Sequence, residues 1–322
     1  MNHRAIGIDL GGTQVRAALV DDSGKVLRRA STRTDVQGGP AAIIAQFRQL
    51  IGDIAGGAER QALSGIGICA PGPLDSETGT FIHIPTLPHW EDFPLRDRLS
   101  AELGLPVVVE GDAIAAAFGE WRFGAGKGLR HLLYVTVSTG IGGGVVADGR
   151  LLHGRRGMAA HVGHFRLFVE GLAQGPRCSC GAVGCFEAFA AGTALDRRAR
   201  QAAFDHPESQ LARMAAVGAL NASHVVQAAR QGDGVARALI DQEADYLGAG
   251  FTSLIHLYSP ERVIMGGGVS HGFDLMQARI HALIATTALP SFRDVEVVEA
   301  GLGDNAGLVG AAALMMFNER GG

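Results

Sequence analysis

Lysine is almost missing from this chain of 322 residues: Lys25 and Lys127 are the two it has, and arginine carries the rest of the basic charge. That scarcity reflects genome composition before function. The formal net charge is -4, so the chain as a whole has no electrostatic footprint for nucleic acid. No apolar run approaches the roughly 20 residues that a bilayer-spanning helix needs. The N-terminus enters a strand almost at once, with no secretory leader ahead of it, which predicts a cytoplasmic protein without a membrane partner. Cysteine is scarce too, at four residues, and in that setting a disulfide framework is not expected. Low-complexity tracts and disordered linkers are absent. What remains is 47% hydrophobic and 19% charged residues, the composition of a soluble globular protein long enough for two domains with real cores.

The sharpest signal runs from residue 134 to residue 187. Three of the four cysteines crowd into Cys178-x-Cys180-x4-Cys185, with thirteen residues between His164 and Cys178. One imidazole and three thiolates are the ligand set of a closed tetrahedral zinc site. With no open coordination position such a site is structural, and it would fix a long loop that has little apolar content of its own. Cys178 and Cys180 stand too close in sequence for an easy bridge to each other. The fourth cysteine, Cys69, lies in an apolar strand and reads as a buried thiol.

Two glycine turns follow one plan. Residues 5–10 form an apolar strand ending in Asp9, then Gly11-Gly12-Thr13, a strand over 15–20, a turn at 21–24 and a third strand over 25–29. Residues 131–152 repeat that architecture with little identity: strand, the turn Ser138-Thr139-Gly140-Ile141-Gly142-Gly143-Gly144, strand, turn at Asp148-Gly149, strand. The repeat predicts two lobes of related fold, each offering a glycine turn to a ligand held between them. A strand-end carboxylate, approachable backbone amides and a hydroxyl are the parts of a phosphate cradle, and Asp9 could hold magnesium through water. Two such cradles suit a triphosphate. Gly266-Gly267-Gly268, after a strand over 262–265, adds a flat surface for a base. Two look-alikes fall away. Residues 124–128 lack the Lys-Ser/Thr ending of a Walker loop, and residues 140–144 lead into a strand where a dinucleotide fingerprint needs a helix.

Elsewhere the pattern predicts helices over 41–54, 95–103 and 112–123, strands over 65–69 and 107–110, a polar loop over 75–92, a mostly helical stretch over 192–256 and a final helix over 305–316. Asp112 stands where a strand hands over to a helix. It is a candidate general base that takes a proton from a sugar hydroxyl, or else an N-cap. Glu187, two residues past Cys185, could accept hydrogen bonds from sugar hydroxyls or be a solvated helix-start residue. His161 could face the same cavity as His164 or lie on the surface.

Taken together these residues resemble the ROK family of bacterial sugar kinases, within the actin-like ATPase superfamily. The likeness covers essentially the whole chain: Asp9 to Thr13, Pro71-Gly72, Trp90, Gly111-Asp112, Ser138 to Gly144, Gly157 to His164, Cys178 to Glu187 and Gly266 to Gly268. It implies an α/β, two-lobed actin-like (ribonuclease H-like) fold with a nucleotide and sugar cleft between the lobes, one formed by residues 1–115 and 305–322 and the other by 116–304. It implies an ATP-dependent kinase for a hexose or N-acetylhexosamine, acting on the 6-hydroxyl with Mg2+ and a structural Zn2+. In that reading Asp112 is the base; Asp9, Gly11, Gly12, Thr13, Thr139, Gly140, Gly142, Gly143 and Gly266 to Gly268 bind nucleotide; and Gly72, Thr86, His161, His164 and Glu187 line the sugar. A homodimer or homotetramer is implied as well. Departures fall on the sugar side: Thr86 and Gly111 replace asparagines of the family pattern, Ile114 replaces another, and His161 replaces a glutamate, as it does in N-acetylmannosamine kinases. The alternative is a sugar-binding sensor or an inactive homologue with an altered pocket.

Overall fold

The computed structural model describes residues 3–84, 87–169 and 175–317. In chain order its elements are β1 (Arg4–Leu10), β2 (Gln14–Asp21), β3 (Val26–Arg33), α1 (Gly39–Ile54), α2 (Gly57–Gln61), β4 (Ile66–Ala70), β5 (Leu74–Asp75), β6 (Thr80–Phe81), α3 (Leu95–Leu103), β7 (Val107–Gly111), α4 (Asp112–Phe123), β8 (Leu132–Val137), β9 (Ile141–Ala147) and β10 (Arg150–Leu151). There follow α5 (Phe186–Ala190), α6 (Gly192–Asp205), α7 (Gln210–Ala215), α8 (Ala222–Arg230), α9 (Gly234–Tyr258), β11 (Arg262–Gly266), α10 (Phe273–Thr287), β12 (Glu296–Glu299) and α11 (Ala306–Met316). The described residues pack as two compact units: those up to 130, 144–160 and from 301 onward in the first, and 131–143 with 161–300 in the second.

The first unit is built on a sheet of order β3-β2-β1-β4-β7. β1 pairs antiparallel with β2 and parallel with β4, which in turn runs parallel to β7. Alternation along the strands separates two faces. Ile6, Ile8 and Leu10 of β1 join Ile66 and Ile68 of β4 in a core closed by Phe47 of α1 and Leu99 of α3. The other face presents Gly7 and Gly67, and α11 lies directly on them. A Cβ at Gly7 would come within 2.0 Å of the Leu308 carbonyl oxygen, and one at Gly67 within 1.8 Å of that of Ala311. Asp9 and Cys69, two residues further along, share that face and arrive beside the first turn of α11, where a Cβ on Gly307 would stand 3.2 Å from Cys69 Sγ and 3.9 Å from Asp9 Oδ2. The sheet and the last helix of the chain thus deliver the carboxylate to a helix start.

Residues 75–92, expected as a polar loop, carry a two-stranded ribbon, β5 with β6. Trp90 anchors it. Its ring is 1% exposed and sits edge-on to Phe81 and Phe93, 5.0 Å from each, so this tryptophan is a core residue. Thr86 lies outside the described residues.

A second sheet has the order β10-β9-β8-β11-β12, and β9 passes from one unit to the other after Gly143. β11 pairs parallel with β8 and with β12. In the second unit Phe186 packs against Phe165 and Phe251, with centroids 5.3 and 6.3 Å away. α9 buries Glu243 completely; desolvation pushes its carboxyl up to about 7, against the pull of Arg198 from α6. Among the described residues no helix is long and apolar enough to cross a membrane.

Close approach of α11 to the first sheet makes a sharp test. Gly67→Ala is expected to cost about 1–3 kcal/mol in thermal or urea unfolding, because the added methyl has no room. Gly52→Ala, in α1 with nothing within 4 Å of its Cβ, is expected to be neutral or to stabilise by about 0.5–1 kcal/mol.

Candidate active site and metal cluster

Each glycine turn is held by its carbonyls. In the first unit Gly11 O accepts from Thr34 Oγ1 at 2.7 Å and Thr13 O from Thr34 N at 2.9 Å. A trans peptide points its N–H opposite to its C=O, so tying back Gly11 O directs the Gly12 amide outward. The second turn is built the same way. Ser138 O accepts from Gly192 N at 2.7 Å and Thr139 O from Thr193 Oγ1 at 2.8 Å, which turns the Thr139 and Gly140 amides to the opposite side. Gly12, Thr13 and Thr139 are exposed. Outward amides on exposed turns are anion-binding geometry.

Asp9 faces Arg16 across the β1–β2 pair. The guanidinium forms an ion pair with the Asp9 carboxylate, and Arg16 Nη1 donates to Asp304 O at 2.9 Å. Nothing in the reading of the sequence singled Arg16 out. The signal was there, since a tight turn at residues 11–13 places Asp9 opposite Arg16 in an antiparallel register.

Asp112 is the first residue of α4, directly after β7. Gly111, not Asp112, occupies the N-cap position, and no side chain caps the helix. The Asp112 Oδ1 accepts from Ala113 N at 2.6 Å. Its side chain is accessible to solvent although ringed by protein, and desolvation raises its carboxyl to about 6; the Ala113 amide opposes that rise and the negative charge of Asp9 adds to it. A carboxylate in this state can take and release a proton near neutrality.

Of the three glycines at 266–268, two are explained by packing. A Cβ on Gly266 would come within 2.4 Å of the Tyr134 hydroxyl, and one on Gly267 within 2.5 Å of Val137 O. Gly268 has open space at its Cβ and presents bare backbone.

His164, Cys178, Cys180 and Cys185 converge in the second unit, with one ligand atom from each lying within 4.8 Å of the others. Cys178 Sγ is 3.7 Å from His164 Nδ1, and Cys180 Sγ is 3.7 Å from Cys185 Sγ. Tetrahedral bonds of about 2.3 Å to sulfur and about 2.0 Å to nitrogen span edges of roughly 3.5–3.8 Å, so the donor set has the size of a single ion. Burial, then the neighbouring thiols, pushes Cys185 up to about 12; a cation held among the three sulfurs would be what makes them thiolates. Glu187 sits above this cluster. Its Oε2 accepts from Ile141 N at 2.9 Å, and its Oε1 from Ser179 Oγ at 3.1 Å.

A family model for the ROK family matches residues 5–317. The chain belongs to the ROK family. The glucokinase of Halalkalibacterium halodurans is 37% identical over 318 residues, spanning 98% of this chain and 95% of that protein. Glucokinase of Thermotoga maritima is 37% identical over 314 residues, 97% of each. Among solved structures, a ROK family glucokinase from Streptomyces griseus in complex with glucose and AMPPNP superposes with a TM-score of 0.81 at 36% identity, covering 97% of this chain and 98% of that one. The fold is the two-domain actin-like ATPase fold of ROK sugar kinases.

Residues expected to act together divide between the units. Asp9, Gly11, Gly12, Thr13, Gly72 and Asp112 lie in the first; Thr139, Gly140, Gly142, Gly143, His161, His164, Glu187 and Gly266 to Gly268 lie in the second. At the positions that depart from the ROK pattern, Ile114 is buried at 6% exposure and presents no polar group. The His161 ring stacks beside His164 with centroids 6.3 Å apart, and desolvation followed by the neighbouring imidazole lowers its pKa.

Metal analysis of the purified protein is expected to find one tightly held ion per chain. Cys185→Ser should lower that occupancy by at least about tenfold, since a thiolate ligand is lost from a closed site.

Proposed function

We propose that the protein is an ATP-dependent hexose kinase in which Asp112 is the general base. The observation that carries this reading is the placement of Asp112 just past β7 and Asp9 at the end of β1, with β4 between the two strands, and an Asp112 carboxyl raised to about 6 by desolvation and then by the charge of Asp9. The base takes the proton of a sugar hydroxyl as its oxygen attacks the γ-phosphate. Magnesium arriving with ATP would neutralise charge on the transferring phosphoryl, and Asp9 is the residue to hold it through water. The outward amides of Gly12, Thr139 and Gly140 fit phosphate oxygens, and the bare backbone at Gly268 fits a base. Gly72, Thr86, His161, His164 and Glu187 are assigned to the sugar, with transfer to its 6-hydroxyl.

His161 bears on the choice of sugar. A neutral imidazole offers one donor and one acceptor where a carboxylate would accept only, so the pocket suits a hexose or N-acetylhexosamine with a mixed pattern of hydroxyl and amide groups. Zinc is the ion proposed for His164, Cys178, Cys180 and Cys185; in a closed site it supplies cross-linking and no reacting ligand. The working form we propose is a cytoplasmic homodimer or homotetramer.

Asp112→Asn is expected to lower kcat by a factor of about 10² to 10⁴, the range for loss of a general base, while nucleotide affinity stays within about threefold; coupled ADP-release assays across hexoses, N-acetylhexosamines and polyols read the first, calorimetry the second. A variant at near wild-type rate removes Asp112 from the role, and sugar binding without turnover in the wild type favours a sensor. The base works ionised, so log(kcat/KM) should rise with unit slope as pH increases toward about 6 and level off above it.

A further inference from the structure

The second glycine turn is gripped from two sides, and each grip leads back to the metal cluster. On one side the short 3-10 turn Val162–His164 presses against it: a Cβ on Gly143 would meet Val162 Cγ2 at 2.7 Å, and one on Gly163 would meet Ile141 O at 2.3 Å. His164 ends that turn and is a metal-cluster residue. On the other side stands the segment after Cys185. Glu187 Oε2 accepts the Ile141 amide, and a Cβ on Gly140 would come within 2.5 Å of the same oxygen. Gly192 and Thr193, at the start of α6, hold the Ser138 and Thr139 carbonyls. The two sides are joined, since Phe186 N donates to Phe165 O at 2.9 Å and Leu167 N to Gly184 O at 2.8 Å. The other Glu187 oxygen reaches into the metal loop, accepting from Ser179 Oγ at 3.1 Å.

We infer that Glu187 is a positioning residue for the phosphate-binding turn, and that it links metal occupancy of the His164/Cys178/Cys180/Cys185 cluster to nucleotide affinity. A carboxylate with one oxygen on the Ile141 amide and the other on the metal loop fixes the turn only while that loop is fixed. An ion on four ligands anchors the loop. Without it, the Ser179 end of the link is free to move and the turn loses the Glu187 tie, keeping the Gly192 and Thr193 bonds. The link requires no contact between Glu187 and nucleotide. It also leaves room for Glu187 to accept from a sugar, because each carboxylate oxygen has two lone-pair directions.

The inference rests on the kinase reading for the identity of the turn's ligand, and its test separates the two. Affinity for AMPPNP with Mg2+ is measured by calorimetry without sugar, and amide hydrogen exchange is followed over residues 138–141, in wild type, Glu187→Ala, Glu187→Gln and Ser179→Ala. Loss of a charge-assisted hydrogen bond predicts about tenfold weaker nucleotide binding and faster exchange at Ile141 for Glu187→Ala. Glu187→Gln keeps an acceptor for the Ile141 amide and should recover most of the loss. Chelating the metal from wild type should reproduce the Glu187→Ala change and add little to that variant, the non-additivity expected of one pathway. Ser179→Ala, at an exposed side chain, should give a smaller change in the same direction and serves where Glu187→Ala does not fold. Unchanged nucleotide affinity and exchange in Glu187→Ala, with only sugar binding impaired, would overturn the inference. If wild type binds no nucleotide the kinase reading falls, while exchange at Ile141 on metal removal still decides the link.

Discussion

Tying a turn down by its carbonyls is the constraint from which the chemistry of this protein follows. A peptide plane cannot point its oxygen and its N–H to the same side. Once Thr34 holds Gly11 O and Thr13 O, and Gly192 and Thr193 hold Ser138 O and Thr139 O, the amides have one direction left. No lysine is needed to make such a turn attractive to phosphate, which suits a chain with so few. The electrostatics of the candidate site come from backbone dipoles and from arginine, as at the Asp9–Arg16 pair.

Support for the first turn comes from far along the chain. α11 can approach β1 and β4 because Gly7 and Gly67 offer no side chain on that face, and α4 can meet α11 because a Cβ at Gly310 would strike the Ala115 carbonyl oxygen at 1.7 Å. With both helices seated, β1 and β7 end at one level, Asp9 at the end of one and Asp112 just past the other. Desolvation of Asp112, and after it the negative charge of Asp9, raises the Asp112 pKa. Close glycine packing thereby brings the two carboxylates to the same end of the sheet.

Glu187 shows how one side chain can be read two ways. Its spacing from Cys185 and the family resemblance point to a sugar contact. Its hydrogen bonds point inward, to the Ile141 amide and the metal loop. The roles are compatible, and the second gives an acidic residue at that distance from the cysteines a bond to the loop and a bond to the turn.

Much of this was legible in residues alone. Alternation in β1 and β4, the Asp9 to Thr13 turn, the helix bounds of α3 and the Cys178/Cys180/Cys185 spacing are local patterns, fixed by strand and helix periodicity and by ligand chemistry over a few residues. The β5–β6 ribbon, α10 and β12 were not foreseen, because two-residue strands and the polar-flanked Glu296–Glu299 carry too little periodicity to stand out. Trp90 as a core residue, Arg16 opposite Asp9, Thr34 and Thr193 as carbonyl anchors and the packing role of Gly266 and Gly267 were decided by tertiary structure. Each depends on two segments far apart in sequence meeting at hydrogen-bond or van der Waals distance. Sequence by itself determined which groups could do chemistry here; the fold determined which way they face and what holds them, because direction is a property of contacts between segments that no single stretch contains.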